Sequence, residues 1–346
     1  PSLSYITPEL NVDKAICTEL MFAGCMNLPS ITSNYNYDSV ISASSMFLYD
    51  TSLNTLSDNI SFKGLKYAEK MFEGCHSLSK LPDDFGPNNI ISTESMFMYC
   101  SAITSFDNTQ WTSTDYILDG HDMFAEMSIL VRILKDWKFI GMTNAEALFY
   151  KCNSLNSISN ASFDSVISAN TMFFRCSSLT ELNDTVTFEK VEDAHSMFDG
   201  CSSLITLGAK NNMENIINAN TMFYNCSALT GDVVINMSYT KNVGGMFYNC
   251  NSLESFKISN LGYSGLIDSY IDFRTCYKYS DKMVDSMVYM MNNVQDRTGL
   301  KECDIYILQA LYDRLKSSAY YTGKDTQYAI FRNVIDGKNN YAVKVV

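Results

Sequence analysis

A Met-Phe pair returns about every 25 residues along most of the chain, and this periodicity limits the fold more than any other feature. The first residue of each anchor is Met21, Met46, Met71, Met96, Met123, Leu148, Met172, Met197, Met222 and Met246, in steps of 25, 25, 25, 27, 25, 24, 25, 25 and 24 residues. With that residue numbered 0, one apolar ladder recurs in each repeat. A branched or long apolar residue stands at −6 (Val40, Leu65, Ile90, Val166, Val191) and a small one, often alanine, at −3 (Ala43, Ala68, Ala145, Ala169, Ala194). Phe follows at +1, and Cys in most repeats at +4. Such spacing describes one face of a helix. Beyond it the period changes. Leu or Ile occupies +7, and a large apolar residue occupies +10 in nine of ten repeats, with Asp232 the exception. That stretch reads as a short strand and a loop. An aromatic or Met at +14 to +16, Trp111 and Trp137 among them, plugs the interior.

One 25-residue unit cannot bury both its faces alone, so neighbours must stack. The expected fold is an α/β leucine-rich-repeat solenoid, right-handed, with a parallel sheet on one face and short helices on the other. About ten repeats at strand spacing give a sheet of roughly 45–50 Å. Residues 1–17 are expected to form an N-terminal cap, 18–276 the array, and 277–346 a C-terminal cap that continues the solenoid. In that last segment Met283, Val284, Met287, Val288, Met291 and Val294 share one helical face. A turn at Asp296, Arg297, Thr298 and Gly299, a strand over 304–308, a helix through Leu311 and Leu315, and a final helix, glycine turn and strand complete it.

The segments MFEGCHSLSKLPDDF, MFFRCSSLTEL, MFDGCSSLITL and MFYNCSALTGD resemble BspA-like leucine-rich repeats. They are similar to the Met-Phe-x-x-Cys-x-Ser-Leu form found in bacterial surface-protein repeats. The resemblance covers about residues 15–276. It implies a non-enzymatic, extracellular or cell-surface protein engaged in adhesion or host recognition. Similar arrays in tail-associated proteins of bacteriophages supply the alternative of a virion component, a tail or fibre module. Asp50 and Met127 in the Cys slot, Leu148 at an anchor and the 27-residue step depart from the pattern.

Eight of eleven cysteines sit at +4 and none forms a CxxC, so they read as reduced core residues rather than as disulfides or zinc ligands. A net charge of −13 repels phosphate backbones and argues against nucleic acid as a partner. The apolar runs are far shorter than the roughly 20 residues of a membrane helix, so no insertion is expected. The chain opens PSLSYITPEL without a charged-then-apolar leader, and Pro1 leaves the native start open. His76, His121 and His195 fall in no catalytic or metal-ligating order, and no P-loop or GxGxxG is present. No enzyme, cofactor or metal is therefore expected.

Two surfaces are candidates for binding. The first is the concave sheet face at +9 and +11, where Thr55, Lys80, Ser105, Asp107, Arg132, Ser157, Glu181, Asn183, Thr206 and Lys257 form a mostly small, polar row. It suits hydrogen bonding to a protein or carbohydrate partner on a host or cell surface. The second is +2, where Leu48, Met98, Tyr150, Phe174, Tyr224 and Tyr248 recur; these are expected to lean into the groove between repeats as core.

Overall fold

The computed structural model describes residues 3–6, 10–87, 89–107, 109–111, 113–133, 137–158, 161–182, 186–208, 212–231, 233–262, 265, 270–297, 300, 302–338 and 340–346, with the backbone alone at Asn212. The chain forms two compact units: Pro1–Val166 with Met172–Leu179, and Ile167–Thr171 with Thr180–Val346.

In both units the repeats stack in parallel, but the Met-Phe segments are not the expected helices. They are chains of turns. In unit 1 the N–H groups of Ala43, Ser45, Phe47 and Tyr49 donate to the carbonyls of Tyr67, Glu69, Met71 and Glu73 in the next repeat, at 2.8–2.9 Å. The intervening Met46, Leu48 and Asp50 N–H groups close turns onto carbonyls three residues back, at 3.1–3.2 Å. Unit 2 repeats the device: Ala194, Ser196, Phe198 and Gly200 donate to Asn218, Asn220, Met222 and Tyr224. An α-helix cannot form here, because half the donors that would bond within it are directed to the neighbouring coil.

The backbone makes this possible by placing −1 and +3 in the left-handed region in every repeat, as at Ser45 and Tyr49 (φ 57° each) and at Thr221 (51°) and Asn225 (61°). That conformation puts the positive φ where a type II turn requires it. Side chains help. Asp119, Asn144, Asp193 and Asn218, all at −4, accept from the N–H two residues on at 3.0–3.2 Å. These short polar residues favour turns over helix interiors. The same −4 positions form parallel bridges from coil to coil: Cys17–Ser42–Tyr67–Ser92–Asp119–Asn144 in unit 1, and Ser168–Asp193–Asn218–Asn242 in unit 2.

The interior faces match the sequence ladder. Phe22, Phe47, Phe72, Phe97, Phe124, Phe149 and Phe173 stack successively in unit 1, with centroids 5.3–6.0 Å apart. Phe198, Phe223, Phe247 and Phe273 do so in unit 2, at 5.5–5.6 Å. Trp111 and Trp137 are buried; their indole N–H groups donate to the Ser113 and Trp111 carbonyls. The Cys slot has its own logic. The thiols of Cys75, Cys100 and Cys152 donate to the Phe carbonyl one repeat earlier, at 3.0–3.1 Å, and Cys226 and Cys250 do the same in unit 2. All eleven cysteines are free, only Cys17 is exposed, and burial pushes the Cys75, Cys226 and Cys250 thiols far up.

The sheet side consists of strands two or three residues long. In unit 1, β1 (Ser30–Ile31) and β2 (Thr55–Leu56) pair in parallel, and β3 is Ser157–Ile158. In unit 2, β4 is Glu181–Leu182, and β5 (Asn212–Met213), β6 (Val234–Asn236) and β7 (Lys257–Ser259) form a parallel sheet.

After the last anchor the design changes. β8 (Tyr270–Asp272), β9 (Cys303–Ile307) and β10 (Tyr341–Val345) form an ordinary parallel sheet, joined through α1 (Asp281–Asn292), α2 (Gln309–Ser317), α3 (Ala319–Thr322) and α4 (Ala329–Ile335). Ser280 caps α1 by accepting from the Met283 N–H. Met283, Val284, Met287, Val288 and Met291 are buried as the sequence predicts, and α1 packs on β7 and α4. Val294 falls beyond the helix. Thr298 and Gly299 of the expected turn lie outside the described residues, while Arg297 is buried with Nη1 2.9 Å from the Gly262 carbonyl.

Candidate binding cleft

The sheet-face row does not gather at one point. In unit 1, Thr55 lies beside Ser30 in the β1–β2 pair, and Ser157 is exposed on β3 with Ser105 half-buried. The two distinctive cations there are already paired, Lys80 with acids of the preceding coil and of its own and Arg132 with one of the preceding coil. Lys80 Nζ lies 2.8 Å from Asp58 and 3.4 Å from Asp83, and Arg132 binds Asp107. Exposed pairs of this kind contribute little stability. In unit 2, Glu181 bridges Thr206, and Lys257 stands 5.6 Å from the Tyr289 ring. Asn183 lies outside the described residues. His121 is tied to Asp122 at 3.0 Å, a bond that raises its pKa, and His195 to Asn220 at 3.3 Å. Among the described residues no three His, Cys, Asp or Glu side chains are placed to hold a metal ion, and no helix is long and apolar enough to cross a membrane.

The +2 row behaves differently. Its six large members are half-buried rather than sealed in the core. They also stack from coil to coil, Tyr150 on Phe174 in unit 1 and Tyr224 on Tyr248 in unit 2, each at 5.0 Å. In unit 1 Lys151 and Arg175 cover the Tyr150 and Phe174 rings at 4.9 and 5.1 Å. In unit 2 the row opens into a cleft of about 470 Å³, lined by Asn220, Thr221, Tyr224, Gly244, Gly245, Tyr248, Tyr270, Asp272, Arg274 and Tyr306. None of the sheet-face candidates lines it.

The cleft forms where the turn ladder gives way to β8 and β9. Its floor exists because Gly244 and Gly245 stand at −2 and −1, where the preceding repeat has Asn220 and Thr221; two side chains are missing from the same backbone path. Gly245 holds the left-handed φ of its slot, 65°. The far wall comes from Tyr270 and Asp272, alternate residues of β8, from Tyr306 of β9 and from Arg274. Tyr270 and Tyr306 meet edge to face at 5.9 Å, and the Arg274 guanidinium lies 4.8 Å from the Tyr306 centroid.

Charge in the cleft is balanced internally. Asp272 is 3% exposed, so its carboxylate needs a partner. Arg274 supplies it twice: Nε lies 2.9 and 3.1 Å from the two oxygens and Nη2 2.6 Å from Oδ2, while the Arg274 N–H donates to Oδ1 at 2.9 Å. These bonds push the Arg274 pKa up. The result is a neutral, fork-shaped set of donors and acceptors between tyrosines, in the volume range of small-ligand sites. Tyr224 and Tyr248 carry a signal in the sequence, the +2 row. Tyr270, Asp272, Arg274 and Tyr306 carry none, because they lie past the last anchor; the Gly244–Gly245 pair was the available clue.

Among curated proteins no relative matches the chain. Among solved structures, a leucine-rich repeat protein from Bacteroides ovatus ATCC 8483 is 16% identical, with a TM-score of 0.34 over 95% of this chain and 80% of that one. The TLR13–ssRNA13 complex is 13% identical, with a TM-score of 0.21 over 82% of this chain and 52% of that one. Both superpositions are loose, and the repeat fold is read from the chain's own ladders. A family model described as "Mycoplasma protein of unknown function, DUF285" matches residues 7–111, 92–207, 117–235 and 167–286. The last three matches begin 25 and 50 residues apart, whole numbers of the chain's own period. The matching model is this Mycoplasma family rather than one specific to BspA-like proteins. Its matches run through most of the chain, which belongs to the DUF285 family.

Proposed function

We propose that the protein is a non-enzymatic recognition scaffold, a right-handed solenoid of BspA-like leucine-rich-repeat character, working at a cell surface or outside the cell. Its partner is protein or carbohydrate, and the principal contact is the unit 2 cleft. The observation that carries this reading is the tyrosine-walled cleft with the Asp272–Arg274 pair at its side. Tyrosines supply large contact area at low entropic cost, with polar tips for orientation. The cleft's buried carboxylate is locked in a two-point ion pair, which suits a fixed hydrogen-bonding group and not a proton-transfer group.

The sheet-face row is the comparison surface. The test is a protein and glycan array probed with the intact chain, then with Tyr248→Ala and with the double variant Lys80→Glu, Arg132→Glu. The expected outcome is a captured partner whose binding falls at least tenfold in Tyr248→Ala and holds in the double variant. The reverse pattern moves the contact to the sheet face, and silence across both arrays removes the recognition role.

A further inference from the structure

Resting on the cleft as a recognition site, we infer that its ligand is a neutral saccharide. The choice follows from what the walls offer and from what they have already neutralised. An anionic ligand needs a cation free to meet it, and Arg274 is engaged by Asp272 through Nε and Nη2. A cationic ligand needs a free carboxylate, and Asp272 is both buried and paired. What is left is uncharged. Four tyrosines line the cleft with apolar surface and polar tips, while the 40% exposed Arg274 side chain, Asn220 and Thr221 bring polar atoms to it at close spacing. A pyranose matches this combination: its C–H face packs on an aromatic ring, and its adjacent hydroxyls each donate and accept. Tyr224 stacks on Tyr248, 5.0 Å between centroids, which holds the Tyr248 ring fixed in the cleft wall. An extended proline-rich peptide would also use tyrosines, but it has no chain of hydroxyls to engage a two-point charged pair beside them.

The experiment is saturation-transfer NMR and titration calorimetry on the intact chain. The probes are neutral di- to tetrasaccharides of glucose, galactose, mannose and N-acetylhexosamine, with a sulfated oligosaccharide and a polyproline peptide as separate arms. At least one neutral saccharide is expected to bind. Its affinity should change less than about twofold between 50 and 500 mM NaCl, since no net charge is matched. Tyr248→Ala and the exposed-ring variant Tyr270→Ser should each weaken it at least tenfold, with unchanged thermal midpoints reporting intact folding of the second. Binding of the sulfated or proline-rich probe alone, at the cleft, overturns the saccharide assignment and leaves the recognition reading standing. A neutral saccharide whose affinity ignores both cleft variants overturns the assignment of this site. No binding by any probe, with a protein partner captured at the cleft on the arrays, sinks the saccharide inference alone.

Discussion

Within unit 2, residues 192–250 and residues 270–345 both stack coil on coil in parallel, yet they satisfy their backbones in different ways. The repeats alternate: one N–H closes a local turn and the next donates to the neighbouring coil, with left-handed residues at two fixed positions per repeat. The closing segment separates the two jobs. β8, β9 and β10 make the inter-coil bonds, and α1, α2 and α4 make the local ones. The lesson is that an inward face of Met, Phe and Cys can be presented by a turn ladder as well as by a helix, and that the cleft arises where one scheme hands over to the other. There the glycine pair thins the ladder and the strand tyrosines stand up beside it.

The largest expected effect probes what the two regions share. Phe223→Ala, in the middle of the unit 2 stack, should cost about 3–5 kcal/mol. Urea titration followed by circular dichroism checks it, and an unmoved midpoint would mean that the stack does not hold the coils together.

A smaller effect tests the Cys slot by way of its exception in unit 1. Asp50 is buried, accepts from the Cys25 N–H at 2.6 Å, and burial raises its pKa to about 7. In the unfolded chain the carboxyl ionises near 4, so between about pH 4 and 7 the folded state binds more protons. Stability contributed by this site is therefore full below pH 4, falls as pH rises to 7, and stays low above. Asp50→Cys, which restores the repeat residue, should stabilise by about 2–4 kcal/mol at pH 8 and give little gain at pH 4. A gain independent of pH would sink this account of Asp50.

The smallest effects have opposite signs in a turn-ladder repeat, here of unit 1, and in the closing segment of unit 2. Exposed Leu20 holds φ 57° at a −1 position, so Leu20→Gly should stabilise by about 0.5–1 kcal/mol. Asp285→Gly, on the exposed side of α1, should destabilise by a few tenths to about 1 kcal/mol. Thermal midpoints of the two variants read the signs directly; a loss at Leu20 would argue for helix-like backbone there. Conversely, Gly74→Ala should destabilise, because its left-handed φ of 74° disfavours a side chain and the new methyl runs into the Tyr49 ring.

Much of this was readable from residue order. The period, the Phe column, the buried Cys slot and the helical face of α1 all follow from which side chains must escape water, and apolar spacing records that. The helix reading of −6 to +4 failed for a specific reason. Spacing reports which side chains point inward, but not whether a backbone N–H bonds within its own coil or to the next. Ser45, Lys70 and Thr171 give no hint of a left-handed φ, since the conformation is imposed by neighbouring coils. The candidate site was half legible in the same sense: the +2 row contains Tyr224 and Tyr248, while Asp272 and Arg274 look like ordinary charges of a repeat that has lost its anchor.

Residue order alone therefore settled that residues 18–276 are built of like modules and which groups line the interior of each, because burial of apolar surface is additive and repeats with the period. The route of the backbone and the place where a ligand can enter were settled by contacts between residues a coil or more apart. Hydrogen bonds are directional, and a cleft is made by what two different coils leave unfilled, so neither is written in any single repeat.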